Sequence, residues 1–271
     1  PMAWGGSMGY KGSTMLIATF NCNSVRQRQD HIIDWLGEHS PDVMALQETK
    51  VVDQDFPLGP FEKAGYSVAF RGEKSYNGVA MLTKHEPDSV SFGLEDGDDG
   101  ESETRLARIT YENVEIVNTY IPQGQDLDSP KFQFKLEWFE RLEKYVEARI
   151  AENGEFVLLG DLNVAPTPID VYDHKRIWPH VVHCQEVTDA YDALIDLGLV
   201  DVFRKHLPQA DAFTFWHYRS KTAVAKNRGW RIDHILATQG LADRSDSVFI
   251  DVELRKRPKP SDHTVVAATF E

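Results

Sequence analysis

What most constrains the fold of this chain is an interrupted alternation. Strand-length apolar runs and longer stretches of helical period take turns along it, yet some strands follow one another directly across tight polar turns. Met15–Asn23 and Asp42–Gln47 read as strands, separated by a helical pattern over Val25–His39 that Ser40-Pro41 stops. Tyr66–Phe70 and Gly78–Thr83 form a strand pair across the polar turn Gly72–Asn77, and Leu106–Thr110 and Val114–Tyr120 form another around Glu112-Asn113. The clearest helix covers Lys131–Ile150, where Phe132, Leu136, Phe139, Leu142 and Val146 recur at three- and four-residue spacing with charge on the opposite side. Phe156–Gly160 reads as a buried strand, Val187–Leu197 as a helix, and Trp230–Thr238 and Thr264–Phe270 as the closing strands. A purely parallel, doubly wound sheet has no use for hairpins, so the mixture implies an α/β (α+β) chain in which sheets pack together with helices outside.

No repeat, low-complexity linker or shift in composition divides the chain, so residues 15–271 are expected to form a single domain. The Gly-rich stretch Pro1–Thr14 reads as a non-native leader, disordered or peripheral, with Met15 as the native start. It lacks a charged region followed by an apolar one and so does not resemble a signal peptide. No apolar run approaches the roughly 20 residues that span a bilayer. The two cysteines, Cys22 and Cys184, make neither a disulfide framework nor a zinc site and fit a reducing, cytoplasmic setting. A net charge of −14 argues against a polyanionic partner. Its distribution softens that objection. Glu95, Asp96, Asp98, Asp99, Glu101 and Glu103 fall in one Gly-rich run expected to be a solvated loop. Arg204–Arg231 holds Arg204, Lys205, Arg219, Lys221, Lys226, Arg228 and Arg231 against Asp211 alone.

The informative polar residues stand at strand ends. Asn21 and Asn23 close the first strand, Glu48 the second and Tyr120 the Val114 strand; Asp161 and Asn163 follow FVLLG, and Asp262-His263 precede the last strand. Any one of these suits a turn or cap, but together they can converge on one pocket at the sheet edges. Phosphodiester hydrolysis calls for such a set: an activated water, positive charge beside the phosphate, and help for the leaving oxygen. Glu48 and Asp262, supported by Asn21, suit magnesium, which takes hard oxygen ligands and keeps several waters. His263 can polarise the phosphate, oriented by a carboxylate such as Asp233; Asp161 can align or deprotonate water, and Asn163 and Tyr120 can donate neutral hydrogen bonds. No zinc cluster, GxSxG elbow or Walker loop is present.

Eight segments carry a resemblance: FNCNSVRQR (20–28), PDVMALQETK (41–50), SYNGVAMLTK (75–84), NTYIPQG (118–124), GDLNVAP (160–166), FTFWHYRS (213–220), NRGWRIDHIL (227–236) and KPSDHTVV (259–266). In this order they resemble the exonuclease III type of abasic-site endonucleases, within the endonuclease/exonuclease/phosphatase superfamily. The resemblance implies the DNase I-like fold, a four-layer sandwich of two packed mixed sheets flanked by helices. It implies Glu48 as principal magnesium ligand with Asn21 and Asp262 nearby, and Asp161, Asn163 and His263 as further candidate ligands. Tyr120, Asp161, Asn163, Asp233 and His263 would be catalytic. Phe215, Trp230 and Ile232 would form the apolar pocket for a flipped-out abasic sugar, with Asn23, Gln123, Lys226 and Arg228 completing the DNA contacts. Manganese could replace magnesium.

The implied activity is hydrolysis of DNA 5′ to abasic sites, with 3′-to-5′ exonuclease and 3′-phosphatase action on duplex DNA, by a monomer that needs no protein partner. One alternative keeps the chemistry and changes the substrate to a lipid, inositol phosphate or nucleotide. Another, a non-catalytic DNA-binding scaffold, would have lost Glu48, Asp161, Asp233 or His263, and all four are present. The acidic run at 95–103 has no counterpart in the family pattern.

Overall fold

A computed structural model describes residues 14–97, 102–218, 220 and 222–271. Residues 1–13, most of the stretch expected to be a leader, lie outside the described residues, as do Asp98, Asp99 and Glu101 of the acidic run and Arg219 and Lys221 of the basic stretch. In chain order the elements are β1 (Met15–Asn21), α1 (Val25–His39), β2 (Val43–Gln47), α2 (Leu58–Lys63), β3 (Ser67–Arg71) and β4 (Val79–Thr83). Next come β5 (Ser89–Phe92), β6 (Leu106–Tyr111), β7 (Val114–Tyr120), α3 (Pro130–Asn153) and β8 (Phe156–Asp161). The chain continues with α4 (His174–Ile177), α5 (Gln185–Asp196), β9 (Leu199–Asp201), α6 (Val202–His206), β10 (Asp233–Thr238), α7 (Gln239–Asp243), β11 (Ser245–Ile250) and β12 (Val266–Phe270).

Two six-stranded sheets result, ordered β11-β12-β1-β2-β4-β3 and β5-β6-β7-β8-β10-β9. Each has one parallel pair at its centre, β1 with β2 and β7 with β8, and the long helices α1 and α3 make those two crossovers. Every other pairing is antiparallel. Side chains alternate across the strands, as the pleat requires. In β8, Val157 and Leu159 enter the layer between the sheets with Ile17, Ala45 and Ile116, while Phe156 and Leu158 pack beneath α3 and α5. On the other outer face, Ala18 and Phe20 of β1 meet Val25, Ile32 and Trp35 of α1. The order is helix, sheet, sheet, helix, as the resemblance implied. No helix among the described residues is long and apolar enough to cross a membrane.

Three sequence expectations need correction. The strand expected from Trp230 begins at Asp233, because Trp230 makes isolated bridges with Val171 and Phe215 instead of joining the sheet. Arg204 and Arg231 do not face solvent as part of a basic surface. Arg231 Nε reaches Asp170 Oδ1 at 2.6 Å and its second guanidinium nitrogen Asp201 Oδ2 at 2.8 Å, while Arg204 meets the same Asp170 oxygen at 2.5 Å. Their acids lie outside the sequence window that made the stretch look unbalanced. The acidic run is not wholly solvated either: Glu95 pairs with Arg108 at 3.1 Å and Asp96 with Arg141 at 2.7 Å.

Candidate active site

Strand direction explains why six separated sites meet. Asn21 and Gln47 are register partners at the ends of the parallel β1 and β2, so Glu48 leaves β2 beside Asn21. Tyr120 and Asp161 are partners at the ends of β7 and β8, and Asp233 opens the antiparallel β10 directly opposite Asp161. The antiparallel β12 begins where β1 ends, with Val266 against Thr19, which brings Asp262 and His263 to the same rim. The chain turns away from the sheets through left-handed residues at Asn23 (φ 44°), Glu48 (φ 53°) and Asn163 (φ 50°). A glutamate rarely takes such a conformation, and strain of this kind gathers at functional sites.

One polar network joins the rims of both sheets. Asn21 Nδ2 donates to Glu48 Oε1 at 3.0 Å and to Asp161 Oδ2 at 2.8 Å. Asp161 Oδ1 accepts from the Asn163 backbone at 2.9 Å, and Asn163 Nδ2 donates to Ile121 O at 2.9 Å. Asp233 Oδ2 accepts from His263 Nδ1 at 2.9 Å, and His263 Nε2 lies 3.8 Å from Asp161 Oδ2. Asn23 Nδ2 donates to Asp262 Oδ1 at 2.9 Å. Lys50, which sequence reasoning did not single out, places Nζ 2.5 Å from Glu48 Oε2 and 2.7 Å from Asn23 Oδ1.

Burial and charge set the protonation states. Burial would raise Glu48, but Lys50, Asn21 and His263 hold its carboxyl below the usual range. Burial together with Asp233 and Glu48 pushes Asp161 up to about 7, against the pull of His263. His263 goes the other way: burial disfavours its cation, yet Asp233 and Asp161 lift it to about 10. Tyr120 is raised well above the phenol value by burial, Glu48 and Asp161, so it keeps its proton. Asp161, Asp233 and His263 each place a carboxylate oxygen or ring nitrogen within 4.8 Å of the others, and Asp233 Oδ1 is buried without a partner. The two carboxylates suit a divalent cation, with Glu48 one hydrogen-bonded residue away through Asn21, whereas His263, held as an imidazolium, has no lone pair to offer and does not fit the ligand role expected of it.

The other expected residues divide. Phe215 and Trp230 stack at 5.2 Å, and Phe215 meets the His263 ring edge-on at 5.0 Å, so this aromatic pair adjoins the polar centre. Ile232 is 2% exposed and packs in the core beneath them. Arg228 lies on the rim of a cleft of about 300 Å³ against Phe215 and Trp230, while Lys226 is exposed on the same turn. Gln123 is exposed and lines a second cleft, of about 580 Å³, beside Tyr120 and Arg105. Two further residues had no sequence signal. Arg105 lies over the Tyr120 ring at 5.1 Å, and the fully buried Lys135 of α3 donates to Asn163 O and Val181 O at 2.6 Å.

The chain is similar to known proteins over most of its length. The model of the endonuclease/exonuclease/phosphatase family matches residues 18–263. Exodeoxyribonuclease III of Haemophilus influenzae is 35% identical over 95% of this chain and all of its own. An AP endonuclease from Archaeoglobus fulgidus superimposes with a TM-score of 0.92 at 43% identity, covering 95% of this chain and 99% of that one. A 3′ phosphatase from Neisseria, solved with a product DNA hairpin, gives the same TM-score at 34% identity, with the same coverage.

Proposed function

Because the chain belongs to the endonuclease/exonuclease/phosphatase family, we propose that it hydrolyses the DNA backbone 5′ to abasic sites, with 3′-to-5′ exonuclease and 3′-phosphatase activity on duplex DNA, in a magnesium-dependent reaction. The observation that carries this reading is the buried cluster of Asp161, Asp233 and His263 next to the stacked Phe215–Trp230 pair. The activities named for the relatives support the DNA substrate.

A bound magnesium, held by carboxylates of this cluster with Glu48 and Asn21 close by, would supply positive charge to the phosphate and lower the pKa of water. The residues supply the rest. Asp233 fixes the His263 ring through Nδ1 and keeps it an imidazolium, whose Nε2–H can meet a non-bridging phosphate oxygen. Asp161 can take a proton from the attacking water, and the Asn163 backbone holds its second oxygen in place. Tyr120 stays a phenol and can donate to a phosphate oxygen. The Phe215–Trp230 pair offers an apolar wall to a sugar without a base.

A duplex with one synthetic abasic site tests the reading, incubated with magnesium or with a chelator and compared with small phosphodiesters. Metal-dependent nicking at the lesion, lost in Asp161→Asn, is expected. Absence of nicking by the wild type, or a preference for the small diesters, would sink it.

A further inference from the structure

Away from the carboxylate cluster, two arginines are buried without a carboxylate partner among the described residues. Arg28 and Arg255 are 6% and 9% exposed. Arg28 donates to Tyr218 Oη at 2.7 Å and Pro260 O at 2.9 Å, and Arg255 donates to Trp216 O at 3.0 Å and lies 5.8 Å from the Tyr218 ring centre. Among the described residues neither forms an ion pair with a carboxylate, and both Nε atoms are buried without an acceptor. Asp262 is the carboxylate whose field reaches Arg255, and it already accepts from Asn23. Buried charge left unmatched in this way is costly. An anion from outside would match it.

The place for that anion is adjacent. Arg255, Lys256, Tyr218, Ser220 and Asn227 line a cleft of about 670 Å³ whose described lining includes no carboxylate. Lys256, at its rim, is held by Glu253 at 2.5 Å, which leaves Arg255 as the uncompensated charge of the described lining. Arg255 is linked to the candidate active centre through Trp216, whose carbonyl accepts from Arg255 and whose N donates to Asp262 O at 2.9 Å, one residue before His263. We propose that this cleft is a subsite for a backbone phosphate of the DNA strand, flanking the scissile one. The proposal rests on the DNA-hydrolase reading above. A phosphodiester of the strand suits the cleft better than free phosphate, since the active centre already tethers the strand and raises its local concentration. On a chain with a net charge of −14, local cations of this kind must supply the grip.

Binding of an intact duplex in the presence of a chelator, measured over a range of salt, tests the subsite separately from cleavage. Arg255→Gln should weaken binding about tenfold and lower the slope of log K against log salt by about one. Ala225→Glu, which sets a carboxylate at the mouth of the cleft on an exposed position, should weaken binding as well and keeps the test decisive if Arg255→Gln does not fold. Wild-type affinity and slope in the folded variants overturn the subsite, as does a change confined to competition by inorganic phosphate. Failure of wild-type protein to nick DNA would instead strike the function itself.

Discussion

In the proposed reaction Asp161 would serve function against stability. Its folded pKa is raised from 3.8 to about 7, chiefly by burial and then by Asp233 and Glu48, so the native state holds the proton more tightly than the unfolded chain does. Its contribution to stability is therefore fully present below about pH 4 and lost as pH rises through about 7. A bound cation would replace the proton and restore what is lost. Two consequences can be read from melting curves. Without metal, Asp161→Asn should melt with the wild type near pH 4 and above it at pH 8, although the proposed mechanism makes it inactive. Magnesium should raise the wild-type Tm at pH 8 and barely move the variant. A metal-free wild type that outlasts the variant at pH 8 would show that Asp161 is not strained by its ionisation.

Elements, rather than single groups, hold the loops that carry these residues. Helix α3 crosses from β7 to β8 and sends Lys135 inward, where its amine donates to Asn163 O and Val181 O and approaches Gln123 O at 3.5 Å. Burial draws this lysine down to about 7. One helix thereby pins three loops. Lys135→Met should leave those carbonyls unsatisfied and cost about 1–3 kcal/mol in urea unfolding, with KM for abasic duplex raised as the Gln123 and Asn163 loops loosen. Unchanged stability and KM would refute the pinning. The main helices were legible because a long amphipathic period is hard to mistake: α1 has the bounds its pattern predicts, and α3 contains Lys131–Ile150. β5, β9 and β11 were not legible, being edge strands that are short or largely exposed, with no alternation to mark them. The strand-end polar residues could be read because each interrupts an apolar run. Lys135 could not, since a lysine on an amphipathic helix normally faces water. Nor could the pairing of Arg204 and Arg231 with Asp170 and Asp201, which is a matter of tertiary contact.

At the scale of the molecule the proposed active centre lies across a seam, with Asn21 and Glu48 on one sheet and Tyr120 and Asp161 on the other. The spacing of the two rims is set just behind them by a buried polar bridge between the sheets. Gln47 Nε2 of β2 donates to Asn118 Oδ1 of β7 at 2.7 Å and to Thr19 Oγ1 at 2.9 Å, and Asn118 Nδ2 returns to Leu46 O at 2.9 Å and Ala80 O at 3.1 Å. An all-apolar interface could slide by a fraction of a residue, whereas paired amides in a dry layer fix one register. Gln47 immediately precedes Glu48, and Asn118 stands two residues before Tyr120, so register here is geometry at the phosphate. Gln47→Leu and Asn118→Leu should each destabilise by about 1–3 kcal/mol, since each strands the other's amide. The double variant should lose less than the sum, with a coupling of about 1 kcal/mol or more. Its nicking activity should stay low even so, because two leucines fill the seam without fixing the spacing of Glu48 and Tyr120. Urea unfolding and nicking rates of the four proteins separate the two roles. Additive losses would mean that the bridge does not couple the sheets, and full activity in the double variant would mean that packing alone sets the rims.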